Sequence, residues 1–230
     1  MRTSILRRLE RLTLLIFLLA LGGSALLTEE LRSWGEQARQ LVQFLPIPGL
    51  ISPLEGRRVG LVAGHSGNDS GAVCPDGLRE VDVNRAVVLR TAERLRRARA
   101  EVDVLDEFDE RLVNYRADAL VSIHSDSCID ATGFKVARAI TSAIPEIEDR
   151  LVACLYQAYG QVTGLPRHDG SITVNMTRYH AFRVIAPETP AAIIELGFLG
   201  GDRDILTRDQ DRLAKGVAQG IICFLTESQP

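Results

Sequence analysis

Short β-branched and apolar runs alternate along this chain with stretches of helical periodicity, and that alternation leaves few folds open. Val59 to Ala63, Val102 to Leu105, Ala119 to Ile123, Phe134 to Ile140 and Ala191 to Leu196 have the length and content of buried strands. Apolar residues recur at helical spacing in three further places. These are Val81, Val88, Ala92 and Leu95; then Ile147, Leu151, Cys154, Leu155 and Ala158, closed by Gly160; then Leu213, Val217, Gly220, Ile221 and Phe224. Strands separated by helices predict an α/β domain with a mostly parallel, twisted sheet and helices on both faces. A chain of 230 residues has room for one such globular domain of ordinary size, and the pattern places it at residues 57–227.

The first 28 residues read differently. Arg2, Arg7, Arg8 and Arg11 precede Leu12 to Leu27, a run without charge in which Leu dominates. Basic residues ahead of an apolar run mark a membrane-engaging segment, with the arginines in the cytoplasm and the rest of the chain exported. The run of about 16 residues is longer than a typical signal-peptide core and shorter than the roughly 20 that span a bilayer comfortably. Gly23-Ser24-Ala25 supplies small residues of the kind found at cleavage sites, whereas the continuation through Leu26 and Leu27 favours an uncleaved anchor. Residues 29–56 form a connector, charged and partly amphipathic at first and then broken by Pro46, Pro48, Gly49 and Pro53. The net charge of −3 argues against a nucleic-acid partner. The basic cluster Arg94, Arg96, Arg97 and Arg99 fits a solvated helix face.

In open α/β sheets, ligands bind where loops leave the carboxyl ends of the strands. Four polar residues obey that rule. His65 follows the first strand in Ala63-Gly64-His65-Ser66-Gly67, and His124 ends the third in Ser122-Ile123-His124-Ser125. Glu195 ends the last in Ile193-Ile194-Glu195-Leu196-Gly197, and Glu80 opens a helix after a loop. Two neutral imidazoles and one carboxylate around zinc leave a coordination position for water, the pattern of catalytic sites. The ion then acidifies that water and polarises a carbonyl, which makes hydrolysis of an amide feasible at neutral pH. His65, Glu80 and His124 suit the ligand roles; Glu195, at a strand end, suits the proton acceptor that such a reaction also needs.

Written out with Asn68-Asp69-Ser70-Gly71-Ala72 after the first histidine and Gly197-Phe198-Leu199 after the last glutamate, these segments resemble a known family. From roughly Arg57 to Leu225 the chain is similar to the zinc-dependent N-acetylmuramoyl-L-alanine amidases called amidase 3. The resemblance implies one zinc ion per chain on His65, Glu80 and His124, with Glu195 as the catalytic glutamate. The implied substrate is peptidoglycan or a muropeptide, cut at the amide between N-acetylmuramic acid and L-alanine, in the bacterial cell envelope outside the cytoplasm. The chain departs from the family pattern at Ala63, where Asp is usual, at Ser66, where Gly is usual, and at Asp126, where Asn is usual. The stretch from Leu105 to Ala119 is short, and Arg116 corresponds to an arginine usual there. Two alternatives stay open: a noncatalytic wall-peptide-binding or regulatory relative, and a zinc hydrolase of the same fold acting on another amide. A complete ligand set with a base favours the amidase, since a binding module has no need of a general base.

Cys74 and Cys128 each lie close to proposed ligands, so they bridge, as an exported location favours, or remain free thiols, or add to metal ligation. Cys154 and Cys223 fall on the apolar faces of expected helices and read as small core residues. His168 reads as an exposed loop residue. His180 either contacts substrate or a developing oxyanion, or is merely solvated. Arg167, Arg178 and Arg183 read as solvated.

Overall fold

The computed structural model describes residues 54–226. The anchor or signal segment at 1–28 and all but the end of the connector at 29–56 lie outside the described residues. Among the described residues, no helix is long and apolar enough to cross a membrane.

Five strands form one sheet: β1 (Arg58–Ala63), β2 (Glu101–Asp106), β3 (Ala119–Asp126), β4 (Lys135–Ala137) and β5 (Ala191–Phe198). Their order is β2-β1-β3-β5-β4, with every neighbouring pair parallel except β5 and β4. The expected strand over Phe134 to Ile140 is thus only three residues long and runs antiparallel at the sheet edge. Three long helices follow the expected patterns: α1 (Glu80–Arg97), α2 (Pro145–Thr163) and, after the short α3 (Val174–Thr177) and α4 (Arg203–Arg208), α5 (Gln210–Thr226). Helix α2 opens on Pro145, whose fixed φ suits a first turn, and runs past Gly160 to close on Gly164, left-handed at φ 76°.

Alternation along the strands sorts the core into two layers. Val59, Leu61, Val121, Ile123, Ala192 and Ile194 face α1, α2 and α5 in the larger cluster. Val62, Leu120, Ala191 and Ile193 face the other way, onto Leu112, Tyr115, Met176, Tyr179 and Ile185. Among the described residues helices therefore cover both faces unequally: the three long ones take one side, and short helical turns from residues 110–112 and 174–183 roof the other. His124 and Glu195 fall in register with that second side, where Tyr179 of the roof packs edge-on against the His124 ring. The basic cluster lies where the sequence places it, on the outside of α1, with Arg97 paired to Glu93 and Arg94 to Asp211.

Cys154 and Cys223 are not isolated core residues; they form a disulfide between α2 and α5, with Cα atoms 5.8 Å apart. The reason lies one turn away. A Cβ on Gly216 or Gly220 would run into the α2 backbone at Tyr159 or Leu155, so these glycines let the two helices approach to bonding range. Replacing both cysteines by Ser is expected to cost about 2–4 kcal/mol, read as a lowered denaturant midpoint under non-reducing conditions. An unchanged midpoint would show that the cross-link adds nothing to the packed helices.

Candidate metal centre

The strand-end positions bring His65, Glu80 and His124 together. His65 sits two residues beyond β1 in the left-handed region at φ 68°, a conformation unusual for a residue with a side chain. Three contacts hold it there. Its backbone N–H donates to Glu107 Oε2 at 2.9 Å, and its Nδ1 lies 2.6 Å from Asp69 Oδ1, an oxygen that also accepts the Gly71 N–H. The remaining nitrogen, Nε2, lies 3.2 Å from Glu80 Oε1.

His124, buried near the end of β3, brings Nδ1 to 3.2 Å from the same Glu80 oxygen. A Cβ on Gly64 would overlap its ring, so the glycine before His65 makes room for the second histidine. Glu80 is fixed from both ends of its carboxylate. Oε2 accepts the Ala72 N–H at 3.0 Å, while Oε1 accepts the Ser125 N–H at 3.2 Å and Asn84 Nδ2 at 3.1 Å. Asn84, one turn further along α1, also bonds the Gly64 carbonyl and the Ser125 hydroxyl, linking all three ligand-bearing segments.

These contacts shape the charges. Glu80 hydrogen-bonds to His65 and thereby raises its imidazole to a pKa of about 9, with burial opposing. For Glu80 itself burial pushes the pKa up, but hydrogen bonds from His124 and His65 outweigh it and hold the carboxyl far below its usual range. Burial lowers His124, and its hydrogen bond to Glu80 with the charges of Glu195 and Glu107 overcomes that and raises it.

The donor set fits a zinc ion. Ligands at about 2.0–2.1 Å from zinc lie roughly 3.3 Å apart at the corners of a tetrahedron, and two imidazole nitrogens stand 3.2 Å from one shared carboxylate oxygen. Two of the three edges thus stand close to the tetrahedral length. The three ligand atoms all lie within 4.8 Å of one another.

Glu195 stands beside this set, its Cα paired in register with His124 on one side and Lys135 on the other. Its Oε2 is buried and has no hydrogen-bond partner. Burial is the main reason its pKa rises to about 7; His124 and Lys135 pull it down, and Glu80 and Asp126 push it up. Lys135 is itself buried and committed to Asp126 and Ser171.

The departures noted in the sequence have physical replacements. With Ala63 in place of Asp, His65 is oriented by Asp69, and Ser66 donates to Asp106 Oδ1 at 2.5 Å. Arg116 does not reach the site: it precedes β3, at the opposite end of the strand from His124, and pairs with Glu188. His168 is half-buried rather than exposed, with Nδ1 2.7 Å from the Ser171 hydroxyl. His180 reaches the centre indirectly, its Nε2 2.8 Å from Glu107 Oε1. Cys74 and Cys128 are bonded, Cα atoms 5.5 Å apart, and tie the loop before Glu80 to the loop after His124. Sequence reasoning missed Glu107 and Asp69.

A family model described as Amidase_3, N-acetylmuramoyl-L-alanine amidase, matches residues 59–223. The chain belongs to this family. It is an N-acetylmuramoyl-L-alanine amidase acting on peptidoglycan, and the Amidase_3 match takes in His65, Glu80, His124 and Glu195. YqiI of Bacillus subtilis (strain 168), an uncharacterized protein, is 28% identical over 190 residues, 76% of this chain and 88% of that one. Solved amidase structures share the fold. The N-acetylmuramoyl-L-alanine amidase AmiC2 of Nostoc punctiforme superposes with a TM-score of 0.60 at 25% identity, covering 74% of this chain and 97% of that one. The CwlD amidase of Clostridioides difficile, solved with the GerS lipoprotein, gives 0.59 at 21% identity over 75% and 100% of the two chains. Amidase_3 enzymes are zinc-dependent, and this member carries a His-Glu-His group of the right composition.

Metal uptake by such a group is linked to pH. Zinc requires neutral imidazoles, and the metal-free pKa of His65 is about 9. Protons therefore compete with the metal below that value, and apparent zinc affinity is expected to climb from pH 6 to pH 9 and flatten above. Calorimetry in buffers of different ionisation enthalpy would show proton release at pH 7; none released would mean that the imidazoles are already neutral.

Proposed function

We propose that His65, Glu80 and His124 hold one zinc ion per chain and that Glu195 is the general base for cleavage of the amide between N-acetylmuramic acid and L-alanine. Zinc bound there supplies a Lewis acid that acidifies water and polarises the scissile carbonyl. The supporting observation is the Glu195 carboxylate, its Oε2 buried and unpartnered and its pKa raised to about 7 beside the ligand set. A carboxylate with those properties is poised to exchange a proton near neutrality. Glu195 takes the proton of the attacking water and passes it to the departing amine of L-alanine. Glu80, held ionised by its histidines, stays a fixed negative charge through the cycle and does not compete as a base.

Work outside the cytoplasm, at the envelope, follows from the leader and from two disulfides, which persist in oxidising compartments. The proposal includes membrane attachment through residues 1–28. GerS bound to CwlD is a precedent for a protein partner on this fold. The test is digestion of purified wall sacculi with and without a chelator. New amino-terminal L-alanine from the untreated enzyme, lost with chelator and restored by zinc, is the expected result; release that survives metal removal would overturn the metal assignment.

A further inference from the structure

Glu107 is a buried carboxylate just past β2, outside the ligand set, and it touches every histidine around the centre. Its own N–H donates to the Ser66 carbonyl at 2.9 Å, which anchors it to the loop that carries His65. Oε2 accepts the His65 N–H at 2.9 Å and lies 3.6 Å from His124 Nε2. Oε1 holds His180 Nε2 at 2.8 Å.

The position of the His124 proton follows. Its Nδ1 faces the Glu80 oxygen shared with His65, the side on which a metal would bind, whereas Nε2 is buried without any hydrogen-bond partner. A neutral imidazole carries one proton. Placed on Nδ1, it would block the metal and leave the Nε2 lone pair buried against an anionic oxygen. Placed on Nε2, it points at Glu107, and a shift of about 0.7 Å closes an ordinary hydrogen bond.

We propose that Glu107 is the positioning residue of the metal centre: it holds the proton of His124 on Nε2, so that Nδ1 is free for the metal, while fixing the His65 backbone and the His180 ring. The inference rests on the zinc reading above. A carboxylate on the far nitrogen of a ligating imidazole fixes its tautomer and strengthens it as a donor. The other arm reaches outward. His180 stacks on Phe108 at 4.2 Å between ring centroids, and Phe108 is 60% exposed. One carboxylate thus joins two of the proposed ligands to an exposed aromatic ring.

Two measurements test this. In zinc-loaded wild-type protein labelled with ¹⁵N-histidine, His124 is expected to carry its proton on Nε2, with Nδ1 shifted by the metal. In Glu107→Gln, the zinc dissociation constant from competition with a chromophoric chelator is expected to rise about 10–100-fold. A wild type that takes up no stoichiometric zinc would overturn the metal assignment and this inference with it. Stoichiometric zinc with the His124 proton on Nδ1, or a Glu107→Gln constant within about threefold of wild type, below the usual range for such partners, would overturn this inference alone. The spectrum of the wild type needs no variant to fold.

Discussion

Replacing Glu195 by Gln is expected to lower turnover of peptidoglycan by about 10²–10⁴-fold while zinc content stays at wild-type level. The substitution preserves volume and breaks no hydrogen bond at Oε2, because that atom makes none. Stability should hold or rise, since burial is what lifts the carboxyl to about 7 and an amide removes the cost of burying a charge. Loss of rate without loss of fold or metal separates a base from a structural residue. The pH profile of wild type sharpens the test. A base acts when ionised, so kcat/KM should climb with pH through the Glu195 pKa, and the positive ion beside it moves that limb below 7. Counting new L-alanine amino termini from sacculi reads both effects; a variant retaining a tenth of wild-type rate would assign the proton to another group.

Glu80→Gln is expected to weaken zinc binding by more than the roughly 100-fold that marks the upper range for a hydrogen-bond partner of a ligand. Glu80 is the only anion of the set, and its Oε1 alone faces both imidazoles. The metal-free protein should change too. In wild type the His65 pKa is raised from 6.5 to about 9, chiefly by Glu80. Stability from that pair is fully present below pH 6.5 and is lost as pH rises through 9. The variant lacks the pair, so its metal-free melting temperature should vary less between pH 6.5 and 9. Equilibrium dialysis with zinc and melting curves at the two pH values check the two halves; retained stoichiometric zinc at wild-type affinity would remove Glu80 from the ligand set.

The strands and long helices were legible because burial on both faces forces continuous apolar runs in β3 and β5, while α1, α2 and α5 each show one apolar stripe. That same double burial hid which side the long helices take: Leu120 and Val121 are equally apolar and face opposite layers. The site quartet stood out because His65, His124 and Glu195 follow or end apolar strand runs and Glu80 opens a helix after a loop. Glu107 did not, for it lies in Asp106-Glu107-Phe108-Asp109-Glu110, where one buried carboxylate is indistinguishable in sequence from three solvated or half-solvated neighbours. Asp69 was hidden likewise in a polar loop. The Cys154–Cys223 bond depends on how α2 and α5 cross, which no periodicity encodes; the spacing of Gly216 and Gly220 against Tyr159 and Leu155 is its only trace.

The bond between Cys74 and Cys128 closes a covalent ring across 54 positions of the chain, and Glu80, Glu107 and His124 all lie inside it. Unfolding does not open that ring in an oxidising medium. A denatured chain therefore keeps two of the three proposed ligands tethered within reach of each other and retains some power to chelate. Since an ion that also binds the unfolded chain stabilises the native one by less than its native affinity alone would give, zinc should protect this protein from denaturation less than its tightness of binding suggests.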